Sequence, residues 1–360
     1  SFRQGSDTLL HSCWGYQTGG AYDLMASERE DFDCSGPSNL TAVDWNDPND
    51  QRAVTASLVQ SVCILEKDRQ LERQGHESLA SRWWEFFHFQ LVCHLVDDVD
   101  LSIFGAIYEL KDEYKQEGSP HSVIAFRGTI RKPGSYPRDG KLIRRLIMNR
   151  PHKTSRFNIG VQAVRGAVVK NRNVWLAGHS LGSSIAMLAG KTMAWEGIFL
   201  KSFLFNPPFI SAPVEKIKNK NLQHVIRIAK SYGTAWLAIV LDRFRRHGES
   251  DDTFTGLSEW FPCLFVNTAD PICSGYVGYF EQRRKMEEIG AGRIGKLATQ
   301  HSIGGLISRF VGWGSEALHL IPSANLTVNM SGYSGFKLNH GIHQWWRSDL
   351  CLKSDIHEYR

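Results

Sequence analysis

Between Asn173 and Ala189 the chain reads Asn-Val-Trp-Leu-Ala-Gly-His-Ser-Leu-Gly-Ser-Ser-Ile-Ala-Met-Leu-Ala, and few folds can accommodate such a segment. A short apolar, β-prone run leads into Gly178-His179-Ser180-Leu181-Gly182, and a helical stretch of small residues follows. A strand that feeds a helix through so tight a turn needs positions without side chains where strand and helix meet, the role expected of Gly178 and Gly182. Ser180 then projects its hydroxyl at a helix N-terminus, where free amides and the helix dipole favour developing negative charge. Gly-x-Ser-x-Gly alone is common by chance; between a strand and a helix it marks a nucleophile elbow. His179 lies inside the motif, and its side chain is expected to turn away from the serine and serve the structure.

A serine hydroxyl needs a base, and an imidazole base needs a carboxylate to hold its tautomer and its positive form. In the α/β-hydrolase fold these follow the serine in the order acid, then histidine. Asp270 meets the first requirement: it follows the buried run Cys263-Leu264-Phe265-Val266-Asn267 in a loop that Pro271 stiffens, whereas Asp242, Asp251 and Asp252 fall in a polar segment. Downstream histidines are His301, His319, His340, His343 and His357. His319 lies in an expected strand and His301 in a helical or loop region, both suited to packing. His340 and His343 remain as rivals that spacing cannot separate. The stretch Val123-Ile124-Ala125-Phe126-Arg127-Gly128-Thr129 is a strand entering a glycine turn, and the Thr129 amide is expected to join that of Leu181 in an oxyanion hole.

With 360 residues, 42% of them hydrophobic, the chain can bury a large core in one elaborated domain. From residue 103 onward apolar runs alternate with helical patterns, as a mostly parallel sheet flanked by helices requires. The runs are Ile103–Tyr108, Val123–Phe126, Val174–Ala177, Phe203–Phe205, Leu264–Val266 and Leu318–Ile321. The front is helical: Asp47-Pro48 starts a helix carrying Val54, Leu58 and Val62, and a second runs through Arg82–Phe89, whose crowded aromatics suit core packing. Residues 1–47 form an N-terminal wrapping segment and 48–360 the main domain. Within it, about 209–262 is a cap insertion whose apolar piece Ala235–Leu241 suits an acyl pocket and equally an amphipathic helix packed on the domain.

The formal net charge is +5, from basic residues scattered on helix faces rather than gathered in a reader motif, which argues against nucleic acid and allows at most peripheral membrane contact. Seven irregularly spaced cysteines suit neither a disulfide framework nor a zinc site, so a reducing, cytoplasmic setting is expected. No uninterrupted apolar run reaches the roughly 18 residues of a membrane span. The Asn-x-Ser/Thr triplets at Asn39, Asn325 and Asn329 are read as chance.

Taken together, Ala125–Thr129, Ala177–Gly182, an Asp-Pro after a strand and a late histidine resemble the class 3 (fungal-type) triacylglycerol lipases. Trp83–Phe87, Ser202–Pro208 and Asn339–Trp346 are similar to a plant branch of that family, often labelled GDSL esterase/lipase-like, although no Gly-Asp-Ser-Leu block occurs here. The resemblance implies a triad of Ser180, Asp270 and His340, the last matching the family's His-Gly-Ile position, with Thr129 and Leu181 as oxyanion donors. It implies an ester or acyl-lipid substrate, an acyl-serine intermediate and no cofactor or metal. Ser183 replaces a glycine common in such lipases, and the stretch Arg131–Lys141, where relatives begin a flap, is short and basic. The same triad would serve an acyltransferase, and the same scaffold a small-molecule receptor.

Overall fold

A computed structural model describes residues 42–98, 100–129, 155–209, 257–288, 321–332, 335–347 and 349–359. Helix α1 (Pro48–Gln70) starts where Asp47-Pro48 predicts, because the Asp47 carboxylate accepts the Asn49 N–H at 2.8 Å and proline suits the first helical turn. It buries Val54, Leu58 and Val62 completely. The next helix is shorter than expected: α2 covers only Ser81–Glu85, His88 takes φ 62°, and Phe89 opens strand β1 (Phe89–Val96). A left-handed residue ends any right-handed helix, so the aromatic run divides between two elements. Trp83, Trp84, Phe87 and Phe89 are core residues, and Phe86 is exposed.

The sheet has eight strands in sequential order, continuing with β2 (Ile103–Leu110), β3 (Ser122–Phe126), β4 (Val174–His179), β5 (Ser202–Phe205), β6 (Cys263–Asn267), β7 (Ala324–Asn329) and β8 (Leu352–His357). Strands β3 to β7 are mutually parallel; β1, β2 and β8 are added antiparallel at the two sides. Of the expected strand Leu318–Ile321, residues 318–320 lie outside the described residues, Ile321 is not in a strand, and the next strand begins at Ala324. That segment alternates, with Asn325 exposed and Leu326 and Val328 buried, so it lacks the solid apolar run of a strand covered on both faces.

Period-two alternation sorts the central strands between two cores. Val123, Ala125, Trp175, Ala177, Phe203, Phe205 and Phe265 pack beneath α1, whereas Ile124, Phe126, Leu176, Leu204, Leu264 and Val266 face the other side. There they meet α3 (Ser155–Lys170), α4 (Leu181–Trp195) and α5 (Gly275–Glu288). The result is a mixed, mostly parallel sheet with helices on both faces.

Much of the expected N-terminal segment, the flap stretch, residues 210–256 of the cap insertion, His301 and His319 lie outside the described residues. Among the described residues no helix is long and apolar enough to cross a membrane, no cluster of three or more His, Cys, Asp or Glu could hold a metal, and Cys93, Cys263, Cys273 and Cys351 are free thiols.

Candidate active site

Strand β4 ends at His179 and α4 begins at Leu181, which leaves Ser180 alone at the turn. Its backbone, φ 51° and ψ −119°, is one that L-residues rarely adopt, at a cost of about 1–3 kcal/mol. Neighbours hold it there: the Ser180 N–H donates to the Phe205 carbonyl at 3.0 Å, and its own carbonyl accepts the Ser183 N–H at 3.0 Å. The flanking glycines are required by proximity. A Cβ on Gly178 would lie 2.4 Å from the Gly182 carbonyl oxygen, and one on Gly182 2.2 Å from that of Phe126. The Ser183 hydroxyl lies 2.6 Å from the Gly178 carbonyl and 2.8 Å from that of Phe205, so it ties the first turn of α4 to β4 and β5.

Around this turn the structure brings three of the predicted residues into one hydrogen-bonded series. The Ser180 hydroxyl sits 3.1 Å from His340 Nε2, and His340 Nδ1 lies 2.8 Å from Asp270 Oδ2. A carboxylate can only accept from Nδ1–H, which leaves Nε2 free to accept from the serine. Asp270 is completely buried and well supplied with donors: besides His340, its Oδ2 accepts from Asn206 Nδ2 at 2.7 Å and the Cys273 thiol at 3.1 Å, and its Oδ1 from the Ile272 N–H at 3.0 Å. Burial works to raise its pKa, but the bonds from His340, Asn206 and Ile272 outweigh it and hold the carboxyl below the ordinary carboxylate value. Burial beside that charge pushes the Cys273 thiol well up, so it stays protonated and donating.

Of the two rival histidines, His340 is the one whose ring reaches the serine. It ends the short helix α6 (Phe336–His340), and the Phe336 ring stacks on its imidazole at 5.0 Å between centroids. His343 packs instead on Gly341, where an added Cβ would meet its Cε1 at 2.1 Å.

The predicted oxyanion donors stand nearby. Leu181 opens α4, and the first amides of a helix have no carbonyl within it to bond. The turn after β3 passes so close to the serine that a Cβ on Gly128 would lie 3.3 Å from Ser180 Cβ; Thr129, next in the chain, is exposed. Arg127 braces this turn: buried, it donates to the Ile103 carbonyl at 2.6 Å and the Gly128 carbonyl at 2.8 Å.

Sequence reasoning misses several participants. Asn206 and Cys273, both fully buried, touch the carboxylate itself. The His179 ring lies 4.9 Å from that of His340 and its Nε2 2.7 Å from the His340 carbonyl. Gln344 bonds the carbonyls on either side of His340. The available signal was positional: Asn206, like Asp270 and Ser180, comes at the carboxyl end of a buried parallel strand, where open α/β sheets carry their sites.

A helix-flanked, mostly parallel sheet that presents a serine, a histidine and a buried carboxylate in series at its strand ends has the architecture of a hydrolase. The chain belongs to the GDSL esterase/lipase family: over 354 residues it is 50% identical to GDSL esterase/lipase At4g10955 of Arabidopsis thaliana, covering 94% of this chain and 100% of that protein. No family model matches the sequence. The candidate nucleophile sits in Gly-His-Ser-Leu-Gly.

Proposed function

We propose that the protein is a serine carboxylic-ester hydrolase of the α/β-hydrolase fold, close to the class 3 lipases, acting on an acyl ester or lipid. The observation that carries this reading is the series Ser180 Oγ, His340 Nε2 at 3.1 Å, His340 Nδ1, Asp270 Oδ2 at 2.8 Å, with the serine at a strained turn that opens a helix. His340 takes the proton as Ser180 attacks the ester carbonyl, while the Asp270 carboxylate stabilises the imidazolium. The Thr129 and Leu181 amides receive the oxyanion; His340 returns its proton to the leaving alcohol, and an acyl-serine remains. Water, deprotonated by His340, then releases the acid and restores the hydroxyl. The esterase/lipase name of the relative points to the same bond.

Hydrolysis of nitrophenyl esters of increasing chain length tests this reading. Ser180→Ala and His340→Ala should lower kcat/KM by about 10³-fold or more, as loss of a triad member does. His343→Ala should keep most of the activity. A folded wild type that turns over no ester, or Ser180→Ala as active as wild type, rules the assignment out.

A further inference from the structure

Helix α6 is five residues long, too short to satisfy its own ends, since the last four carbonyls of any helix find no amide within it. It nevertheless carries the candidate base. The carbonyls around His340 are met by side chains from outside the helix, two of them distant in sequence and one from the turn that follows. The Asn339 carbonyl accepts from Asn206 Nδ2 at 3.1 Å and Gln344 Nε2 at 2.8 Å. His340's accepts from His179 Nε2 at 2.7 Å, and Gly341's from Gln344 Nε2 at 2.9 Å. Three successive peptide planes are thus fixed from three directions.

The anchors behind these donors are the strand ends of the site. Asn206 follows β5, and its Oδ1 accepts from the Trp345 indole N–H at 2.6 Å. Gln344 Oε1 accepts from Asn267 Nδ2 at 2.8 Å and Asn329 Nδ2 at 3.0 Å, which are partners in register at the ends of β6 and β7. His179 ends β4, next to Ser180. Asn206, Asn267, Asn329 and Gln344 are almost wholly buried. Every donor is also electrically neutral. Burial and the neighbouring His340 push the His179 pKa down to about 3, so its ring donates without bringing a second positive charge to the imidazole that must take one.

We propose that His179, Asn206 and Gln344 form a neutral carbonyl clamp that positions His340, so that its imidazole meets Ser180 and Asp270 simultaneously. His179 is the most telling member, because it ties the base directly to the residue before the nucleophile. The clamp rests on the hydrolase reading for its catalytic meaning, but its geometry is testable without turnover. A misplacement of about 1 Å in such a site can cost about 10²-fold in rate.

The test compares full-length wild type with His179→Phe, which keeps a ring but loses the donor, and His179→Gln, which restores an N–H at similar reach. On a short nitrophenyl ester, His179→Phe should lower kcat by about 10–10²-fold with KM nearly unchanged, and His179→Gln should recover most of it. Proton NMR of the downfield His340 Nδ1–H should show that resonance broadened or shifted in His179→Phe and restored in His179→Gln. Gln344→Met, read by the same two measurements, replaces His179→Phe if that variant does not fold. A folded His179→Phe or Gln344→Met with wild-type kcat and an unmoved resonance overturns the clamp, as does His179→Gln failing as badly as His179→Phe. Absence of ester turnover in the wild type sinks the hydrolase reading instead, and the resonance then decides the clamp alone.

Discussion

At the scale of single residues, what a glycine does here depends on what stands where its side chain would be. Gly178 faces the backbone of Gly182 and Ser183, with contacts of 2.4 and 2.7 Å awaiting a Cβ, and backbone cannot move aside as a flexible side-chain tip can. Gly166, exposed within α3, has nothing within 4 Å. The same substitution should therefore have opposite signs at the two positions. Gly178→Ala should destabilise by at least about 1–3 kcal/mol, as overpacking does, and spread the elbow that presents Ser180. Gly166→Ala should stabilise by roughly 0.5–1 kcal/mol, because alanine loses less conformational freedom in a helix. Urea denaturation of both variants checks the pair; equal midpoints would show that the close approach at Gly178 is relaxed at little cost.

At the scale of elements, α1 joins local signals to the core. Its N-cap, Asp47, is a short-range feature, yet the helix it starts packs on the four strands β2 to β5 and against the Ile342–Trp346 turn that follows His340, and Arg52 Nε donates to the Trp345 carbonyl at 2.9 Å. Asp47→Ala should cost about 1 kcal/mol and Asp47→Ser much less, a difference readable in thermal melts. This helix was legible because cap, proline and periodic apolar residues agree. Strands β3 to β6 were legible because strands covered on both faces read as solid apolar runs. Edge strands gave no such signal: β8 reads Leu-Lys-Ser-Asp-Ile-His with no buried residue, and β1 shares only its first residue, Phe89, with an aromatic run that the turn at His88 divides. The site divides along the same line. Ser180 and Asp270 each follow a buried strand and could be read from that position. His340 could not be told from His343 by spacing, because a one-turn helix and the packing of His343 on Gly341 set their directions. Asn206, Asn267 and Asn329 carry no motif, since an amide's partners exist only once three strands lie side by side.

At the scale of the whole molecule these buried groups make stability a function of pH. Among the described histidines His179 is shifted furthest: its folded pKa is about 3 against an ordinary 6.5. Above pH 6.5 the histidine is neutral whether folded or unfolded, so its full contribution is present. Below it the unfolded chain takes up a proton that the folded protein refuses until about pH 3, and stability falls as acid is added. One such group sets a ceiling of about 1.4 kcal/mol per pH unit. His357, lowered by burial and by Arg283 beside it, acts with the same sign. Asp270 joins only near its ordinary 3.8 and below: its folded pKa is depressed, so its contribution is complete above that value and is lost as the carboxylate protonates. The formal charge of +5 grows as histidines and carboxylates gain protons, and the added self-repulsion pushes the same way. Urea unfolding of wild type and His179→Gln at pH 7, 6, 5 and 4 separates the terms. The wild-type free energy should decline from pH 6.5 downward, and His179→Gln should decline less steeply because glutamine does not titrate. Parallel declines would assign the acid sensitivity to the remaining groups and remove His179 from the account, while leaving its bond to the His340 carbonyl to be judged by the kinetic and spectroscopic test.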